Sequence, residues 1–257
     1  MSIACQKIME LMEDWAPENL AEDWDNPGLC IGSPQEAVSK VLVALDATED
    51  VIDEAIRQKA NLIVTHHPFL FRGIKKIRED QPTGRKIYKL IHNNIGVFSA
   101  HTNLDVAEGG TNDCLARLIG LCEIKSLEEG IGRIGVLEQE TSFIEFANLV
   151  KRKLFLDSMR IVGKGDYFVK RVALCTGAGI EFLDQAEKEG ADVYITSDFK
   201  YHEAQAAEEK NICLIDATHY ASEVLIVPEI SSYLKKNLQD ACEVLISSVN
   251  GQPFSNI

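Results

Sequence analysis

Short apolar runs alternate with helical segments over most of this chain, and that alternation limits the possible folds. Val41–Leu45 is predicted to be a buried strand, Glu49–Lys59 a helix that Thr48 can cap, and Leu62–Val64 the next strand. A strand, a helix and a second strand in this order favour a parallel pair with a right-handed crossover. The sequence therefore predicts the α/β class.

The alternation continues towards the C-terminus. Further strands are predicted at Ile95–Phe98, Met159–Val162, Arg171–Cys175, Asp192–Ile195 and Ile212–Ile215. Further helices are predicted at Pro82–Asn93 with Thr83 as a cap, Cys114–Leu121, Ser142–Leu154, Glu181–Glu189 and Tyr201–Lys210. Residues 220–238 are also helical, with Pro228 either kinking one helix or starting a second.

These elements predict two similar α/β halves in one compact unit, with the functional residues in a cleft at the C-terminal ends of the strands. We expect a single domain over residues 1–257 with two interlinked lobes. One lobe spans roughly residues 1–125 plus the C-terminal segment, and the other spans roughly residues 126–210.

Composition excludes several classes of protein. The chain has 46% hydrophobic and 26% charged residues, as globular domains do, and no apolar run is long enough for a membrane span. Its net charge of −14 disfavours binding to nucleic acid or to anionic membranes. The seven cysteines form no C-x-x-C motif, which is typical of small core residues in a protein of the reducing cytoplasm.

Thr65-His66-His67-Pro68 follows the strand at Leu62–Val64, and Pro68 ends that strand. Two adjacent histidines at such a point can bind a metal ion. Taken alone, the pair is better explained by one packed and one solvated histidine, because histidines are often partly buried without a special role. The other strand ends decide between these interpretations.

Four predicted strands end in residues that can bind a metal ion. These are His66 with His67, His101 with Asp105, Thr196–Asp198, and Asp216–His219 followed by Glu223. His219 and Glu223 lie on one face if a helix begins near His219. His101 and Asp105 have the same spacing but are predicted to lie in a loop. Together the strand ends favour a metal site over four unrelated structural roles.

The donor set of this site is His66, His67, Asp105, His219 and Glu223. Three imidazoles and two carboxylates suit zinc, manganese, iron or nickel. A shared carboxylate such as Glu223 can hold two ions close together, and divalent ions lower the pKa of water enough to make a nucleophile at neutral pH. His101 is then a candidate catalytic residue, either as general acid or as a residue that orients a ligand.

The glycine-containing turn Thr176–Gly179 lies between a strand and a helix. Backbone amides in such a turn can bind an anion, but Phe182 replaces the third glycine of the G-x-G-x-x-G pattern. Close packing is the favoured explanation of these glycines.

Four motifs resemble the Nif-three-like family, which is often labelled "GTP cyclohydrolase 1 type 2 homolog". They are Trp24–Leu29, Thr65–Pro68, Ser99–Asp105 with Gly109–Asp113, and Asp216–Glu223. The resemblance implies two divalent metal ions per subunit, held by His66, His67, Asp105, His219 and Glu223 with His101 close by. It also implies a ring-shaped homohexamer. Some family members carry an extra middle domain, for which this chain is too short.

The resemblance implies a metal-dependent hydrolase with a small-molecule substrate such as a nucleotide, and its label suggests a GTP cyclohydrolase. Two alternatives stay open at this point. The first is a two-metal phosphoesterase or peptidase. The second is a metal-binding or scaffold protein that is not an enzyme. On any of these hypotheses, each histidine of the His66-His67 pair would serve a different ion.

Overall fold

The computed structural model describes residues 1–127 and 130–255, and strands alternate with helices over most of this range. The strands are β1 (Ile3–Ala4), β2 (Gly28–Ile31), β3 (Ala37–Val38), β4 (Lys40–Ala44), β5 (Leu62–Thr65), β6 (Gly96–Ser99), β7 (Cys122–Ser126), β8 (Arg133–Ser142), β9 (Ile161–Val162), β10 (Phe168–Leu174), β11 (Val193–Thr196), β12 (Cys213–Asp216) and β13 (Glu243–Ile246). The helices are α1 (Cys5–Trp15), α2 (Glu49–Gln58), α3 (Pro82–His92), α4 (Thr102–Val106), α5 (Thr111–Leu118), α6 (Phe143–Lys153), α7 (Leu183–Lys188), α8 (Tyr201–Glu209), α9 (His219–Glu223) and α10 (Ile226–Leu238). The predicted α/β class is confirmed.

The chain divides into two compact units. The first contains Met1–Ala107 and Ile226–Gly251. Its main sheet has the strand order β13-β4-β5-β6-β2, in which the first four strands are parallel and β2 runs antiparallel to β6. The register aligns Ala44, Thr65 and Ser99, so β4, β5 and β6 end at the same edge of the sheet.

The central strands of this sheet are buried on both faces, as parallel strands covered by helices require. Leu42, Ile63 and Val97 belong to a core cluster that also contains Ile52 of α2 and Leu90 of α3. The rigid sheet therefore presents the residues that follow its strand ends from a fixed base.

The second unit contains Glu108–Leu225 and the described residues from Gln252 onward. Its sheet has the order β7-β8-β10-β11-β12-β9, and β10, β11 and β12 are parallel. Thr196 at the end of β11 is in register with Asp216 at the end of β12. Phe143 and Phe146 of α6 are fully buried in the core cluster of this unit.

Two local predictions were wrong, and one strand was missed. His101–Asp105 is not a loop, because α4 begins at Thr102 and the Asp25 carboxylate accepts hydrogen bonds from the backbone N–H and the hydroxyl of Thr102. Gln81, not Thr83, is the N-cap residue of α3. Strand β7 was missed because it is a polar edge strand with little buried surface.

Pro228 starts a second helix instead of kinking one. It lies in the first turn of α10, where its missing N–H costs no helical hydrogen bond. Thr48 caps α2 as predicted, since its hydroxyl accepts a hydrogen bond from the N–H of Val51 at 3.3 Å.

All seven cysteines are free thiols. Burial raises the pKa of Cys5, Cys30, Cys213 and Cys242 to about 11, so these thiols stay neutral at neutral pH. Neutral buried thiols behave as small apolar residues, whereas a metal ligand has to be a thiolate. Among the described residues, no helix has the length and apolar character that crossing a membrane demands.

Candidate metal centre

Three histidines converge at the edge of the first unit's sheet where β5 and β6 end. One ring nitrogen from each of His66, His67 and His101 lies within 4.8 Å of the corresponding nitrogens of the other two. His66 is completely buried, and His67 and His101 are partly exposed. Imidazole nitrogens this close together form a ready donor group for a divalent transition-metal ion.

Each of these histidines is held at its Nδ1 atom by an oxygen acceptor. His66 Nδ1 lies 2.9 Å from the carbonyl oxygen of Ala100, and His67 Nδ1 lies 2.7 Å from Asp46 Oδ1. His101 Nδ1 lies 2.8 Å from Asp25 Oδ1. An acceptor at Nδ1 places the proton there and presents the Nε2 lone pair as the donor atom, which is how metal-binding histidines are commonly oriented.

Asp25 has a fully buried side chain that contacts both His101 and α4. Burial alone would raise the pKa of this carboxyl group. Hydrogen bonds from His101 and Thr102 outweigh burial and hold the pKa well below its usual value. Asp25 is therefore ionised at neutral pH and fixes the His101 ring by a charge-assisted hydrogen bond.

Asp105 lies on α4 with its Oδ1 atom 3.6 Å from His66 Nε2. Because His66 is oriented by Ala100, the nitrogen that faces Asp105 is the one with the lone pair. An imidazole nitrogen and a carboxylate oxygen are both donor types that a divalent transition-metal ion accepts. The first unit thus brings together four of the predicted residues, which are His66, His67, His101 and Asp105.

The second unit contains the remaining two predicted residues, and both lie on α9. His219 Nε2 is 3.0 Å from Glu223 Oε2, so the helical spacing does place them on one face as predicted. His219 Nδ1 lies 2.7 Å from Asp198 Oδ2. Glu223 is almost completely buried. Like the first unit, this unit places a carboxylate beside a histidine whose Nδ1 is held by an oxygen acceptor.

Backbone strain accompanies this arrangement. Thr218, immediately before His219, has φ 58° and ψ 142°, and Asp198 has φ 57°. Positive φ is unfavourable for a β-branched residue such as Thr218, and it persists only where surrounding contacts impose it. Here the N–H of Thr218 donates to Asp216 Oδ1, and Asp216 is in turn bound by Arg160. The backbone conformation of Thr218 therefore sets the direction of the chain between the end of β12 and His219.

The turn Thr176–Gly179 is used for packing, which agrees with the favoured explanation of its glycines. The N–H groups of Thr176, Gly177 and Gly179 donate to the side chains of Asn112, Ser222 and Thr196. A Cβ atom at Gly177 would overlap Glu223 Oε1 and lie 3.5 Å from His219 Cε1. Gly177 therefore makes room for the buried carboxylate.

Sequence reasoning missed Asp25, Asp46 and Asp198 as the residues that orient the histidines. The position of two of them is a usable signal, because Asp46 and Asp198 each lie two residues beyond the end of a parallel strand. In each unit the neighbouring parallel strand delivers the histidine that the aspartate binds. In both units, adjacent strand ends therefore supply an aspartate and the histidine that it orients.

These donors suit a metal ion better than a structural polar cluster. Neutral imidazoles and ionised carboxylates are the ligands that zinc, manganese, iron and nickel accept. The fixed Nδ1 contacts, the buried Glu223 and the 3.6 Å approach of Asp105 Oδ1 to His66 Nε2 all match that use. His101 offers a ring nitrogen within 4.8 Å of those of His66 and His67, so metal ligation is a further role open to it.

Comparison with known proteins gives consistent matches over nearly the whole chain. Residues 3–253 match a family model described as Duf34/NIF3 (NGG1p interacting factor 3). A Clostridium acetobutylicum protein named "GTP cyclohydrolase 1 type 2 homolog" is 38% identical over 265 positions, which cover 99% of each chain. A Clostridium perfringens protein of the same name is 39% identical and covers 97% of this chain and 98% of its own.

Solved structures show the same fold. A Bacillus cereus protein related to NIF3 superimposes with a TM-score of 0.94 at 27% identity, covering 99% of each chain. Reduced HcgD from Methanocaldococcus jannaschii superimposes with a TM-score of 0.84 at 31% identity, covering 97% of this chain and 99% of its own.

The close approach of Gly177 to Glu223 yields a test with a matched control. Gly177 and Gly190 both have positive φ, at 63° and 73°, but nothing lies within 4 Å of a Cβ at Gly190. Alanine at either position costs about 1–2 kcal/mol in backbone strain. We expect Gly177→Ala to lower the free energy of unfolding by a further ~1–3 kcal/mol, because Glu223 must move. Denaturant titration in chelator measures both variants, and equal losses would contradict the packing role.

Proposed function

The chain belongs to the Duf34/NIF3 family, and from that premise we propose that it is a divalent-metal-dependent hydrolase with two metal ions per subunit. The observation that carries this proposal is the orientation of four histidines by oxygen acceptors at Nδ1. Structural histidines need no such uniform arrangement, whereas metal ligands do. The number of ions and the hydrolytic activity rest on the family resemblance.

In this proposal the metal ligands are His66, His67 and Asp105 from the first unit and His219 and Glu223 from the second. The family resemblance implies that the two groups serve one dinuclear centre. A bound divalent metal supplies Lewis acidity and lowers the pKa of water. The two carboxylates partly neutralise the ions, and the imidazoles add no charge.

His101 has a separate part in the proposal. Its Nδ1 proton is held by the ionised Asp25, so its Nε2 atom faces the other histidines with a lone pair that can take up a proton. A proton held at Nε2 could be given to a leaving group, which is the general-acid role. Ligation of a metal through the same atom would exclude that role.

Metal content of single variants tests the proposal directly. We expect the purified protein to bind about two divalent ions per chain, and His66→Ala and His67→Ala each to lose one, because each histidine would serve a different ion. Asp46→Asn keeps the shape of the side chain and should weaken metal binding about 10–100-fold by releasing His67. Elemental analysis after dialysis against graded metal concentrations gives the stoichiometry and the affinities.

The matched control for these variants is His92→Ala. His92 is an exposed histidine of α3 whose ring packs against Tyr88 at 5.7 Å, so its loss should leave the metal content unchanged. Unchanged metal content in the His66 and His67 variants would contradict the proposed metal site. Loss of metal in the His92 variant would show that the assay reports folding instead of ligation.

The substrate suggested by the relatives' name is GTP. We expect protein loaded with zinc, manganese, iron or nickel to release formate from GTP, and His101→Asn to lower the rate about 10²–10⁴-fold if His101 is the general acid. Formate is measured with a coupled dehydrogenase assay. Formation of no product with any of the four metals would exclude this substrate, and a panel of phosphoesters and peptides would then separate another two-metal hydrolase from a non-catalytic metal-binding protein.

We also propose a ring-shaped homohexamer in the cytoplasm. The assembly rests on the resemblance, and the location is supported by the seven free thiols, which a reducing compartment preserves. Light scattering of the purified protein should give six times the 28.5 kDa mass of the chain. A monomer or dimer at micromolar concentration, or recovery of the protein outside the cytoplasm on cell fractionation, would contradict the respective part.

A further inference from the structure

We propose that Trp24 and Phe71 form the binding face for a planar aromatic or heteroaromatic ring of the substrate, and that Arg72 and Lys76 bind an anionic group on that ring's substituent. The inference deepens the proposed function and rests on it, because it assigns a substrate class to the same edge of the first unit. It concerns residues that are neither metal donors nor their hydrogen-bond partners.

Trp24 and Phe71 are large aromatic side chains left in water. Trp24 is 57% exposed and Phe71 is 45% exposed, although their rings contact each other at a centroid distance of 5.8 Å. Apolar surface gains roughly 25 cal/mol per Å² on burial, so two adjoining exposed rings form a favourable surface for a ligand. The rings offer both π faces and ring edges to an incoming aromatic group.

Both rings also contact His101, which connects this surface to the candidate metal centre. The His101 ring centroid lies 6.2 Å from each of the Trp24 and Phe71 centroids. The three ring planes are steeply inclined to one another, at 66°, 73° and 86°. They form a corner in which a planar group stacked on one ring meets the edge of another. A ring bound there lies beside the histidine nitrogens.

Hydrogen bonds hold this corner in place before any ligand binds. Asn26 Nδ2 donates to the carbonyl oxygen of Leu70 at 2.7 Å, which joins the loop carrying Trp24 to the loop carrying Phe71. Asp25 joins the first loop to α4 through Thr102. A preorganised surface costs less conformational entropy on binding than two free loops would.

An open groove of about 690 Å³ continues from Phe71 and has cationic walls. Arg72 and Lys76 line it together with Gly73, Ile74 and Thr83. Neither Arg72 nor Lys76 has an ion-pair partner within residues 1–127 and 130–255. In a chain of net charge −14, unpaired cations next to an aromatic corner favour an anionic substituent over a neutral one. A planar ring bearing a phosphate meets both requirements.

Fluorescence of Trp24 gives a direct readout. The chain has two tryptophans, and Trp15 packs against Tyr233 at 4.7 Å, so Trp15→Phe leaves Trp24 as the sole indole reporter. We expect guanosine 5′-monophosphate to quench this fluorescence. Its affinity should exceed that of guanosine or of ribose 5-phosphate at least about tenfold, because each of these probes satisfies only one half of the subsite.

Single variants test the aromatic and the cationic part of the subsite separately. Binding of guanosine 5′-monophosphate to each variant is measured by equilibrium dialysis. Trp24→Leu and Phe71→Leu should each weaken binding about 5–150-fold, the range that base–aromatic stacking gives by substitution. Arg72→Gln and Lys76→Gln should remove the preference for the monophosphate over guanosine. Tyr88→Leu is the control, since Tyr88 is an exposed aromatic residue of α3 that packs on another histidine, His92.

Measuring metal content and ring binding in the same variant distinguishes this inference from the proposed function. In His66→Ala, ring binding should persist within a few-fold while metal content falls, because the subsite does not need the metal. Binding of the aromatic ring without turnover would support the subsite and contradict the proposed hydrolase activity. Binding that is equally tight in the parent, Trp24→Leu and Phe71→Leu would overturn the subsite. It would also be overturned if these two variants changed the assembly mass and left nucleotide binding intact, since the rings would then serve a subunit contact.

Discussion

The hydrogen bond from each histidine Nδ1 to a fixed oxygen is the interaction on which the candidate site depends. In the first unit the acceptors are a carbonyl oxygen and two carboxylates, and in the second the acceptor is Asp198. Each contact fixes both the direction of the ring and the nitrogen that carries the proton. Without these acceptors the histidine rings could rotate, and their donor atoms would not be held in fixed directions.

This dependence explains why the site is built at the ends of parallel strands. Parallel strands in register end at one edge, so a residue following one strand can reach a residue following its neighbour. Asp46 reaches His67 in this way, and Asp198 reaches His219. In both units, main-chain hydrogen bonding between parallel strands therefore sets the distance between a histidine and the aspartate that orients it.

Holding the histidines in fixed positions has local free-energy costs in the backbone and in the packing, and the sequence reveals these costs only in part. Thr218 adopts a backbone conformation that disfavours β-branched residues, and Gly177 gives up a side chain to leave space for Glu223. Asp105 and Glu223 bring buried carboxyl groups close to imidazole nitrogens. Each cost is offset only if the geometry that it produces is used, which is the physical basis for assigning function to these residues in each unit.

The amino-acid sequence by itself determined the α/β class, most of the strands and helices, and the candidate donors His66, His67, Asp105, His219 and Glu223. It could do so because strand burial, helical spacing and chain breaks are local properties. It also placed His219 and Glu223 on one helical face. It failed for β7, whose polar edge lacks a burial pattern, and for the helix that begins after His101.

Only the tertiary structure decided which residues orient the histidines and which rings surround them. Asp25 and His101 are 76 positions apart, and Trp24 meets Phe71 although 47 positions separate them in the chain. Such contacts depend on strand register and loop path, which no local pattern encodes. The sequence therefore determined the chemistry that is available to this protein, whereas the tertiary structure decided its geometry, because distance between side chains is a property of the packed chain.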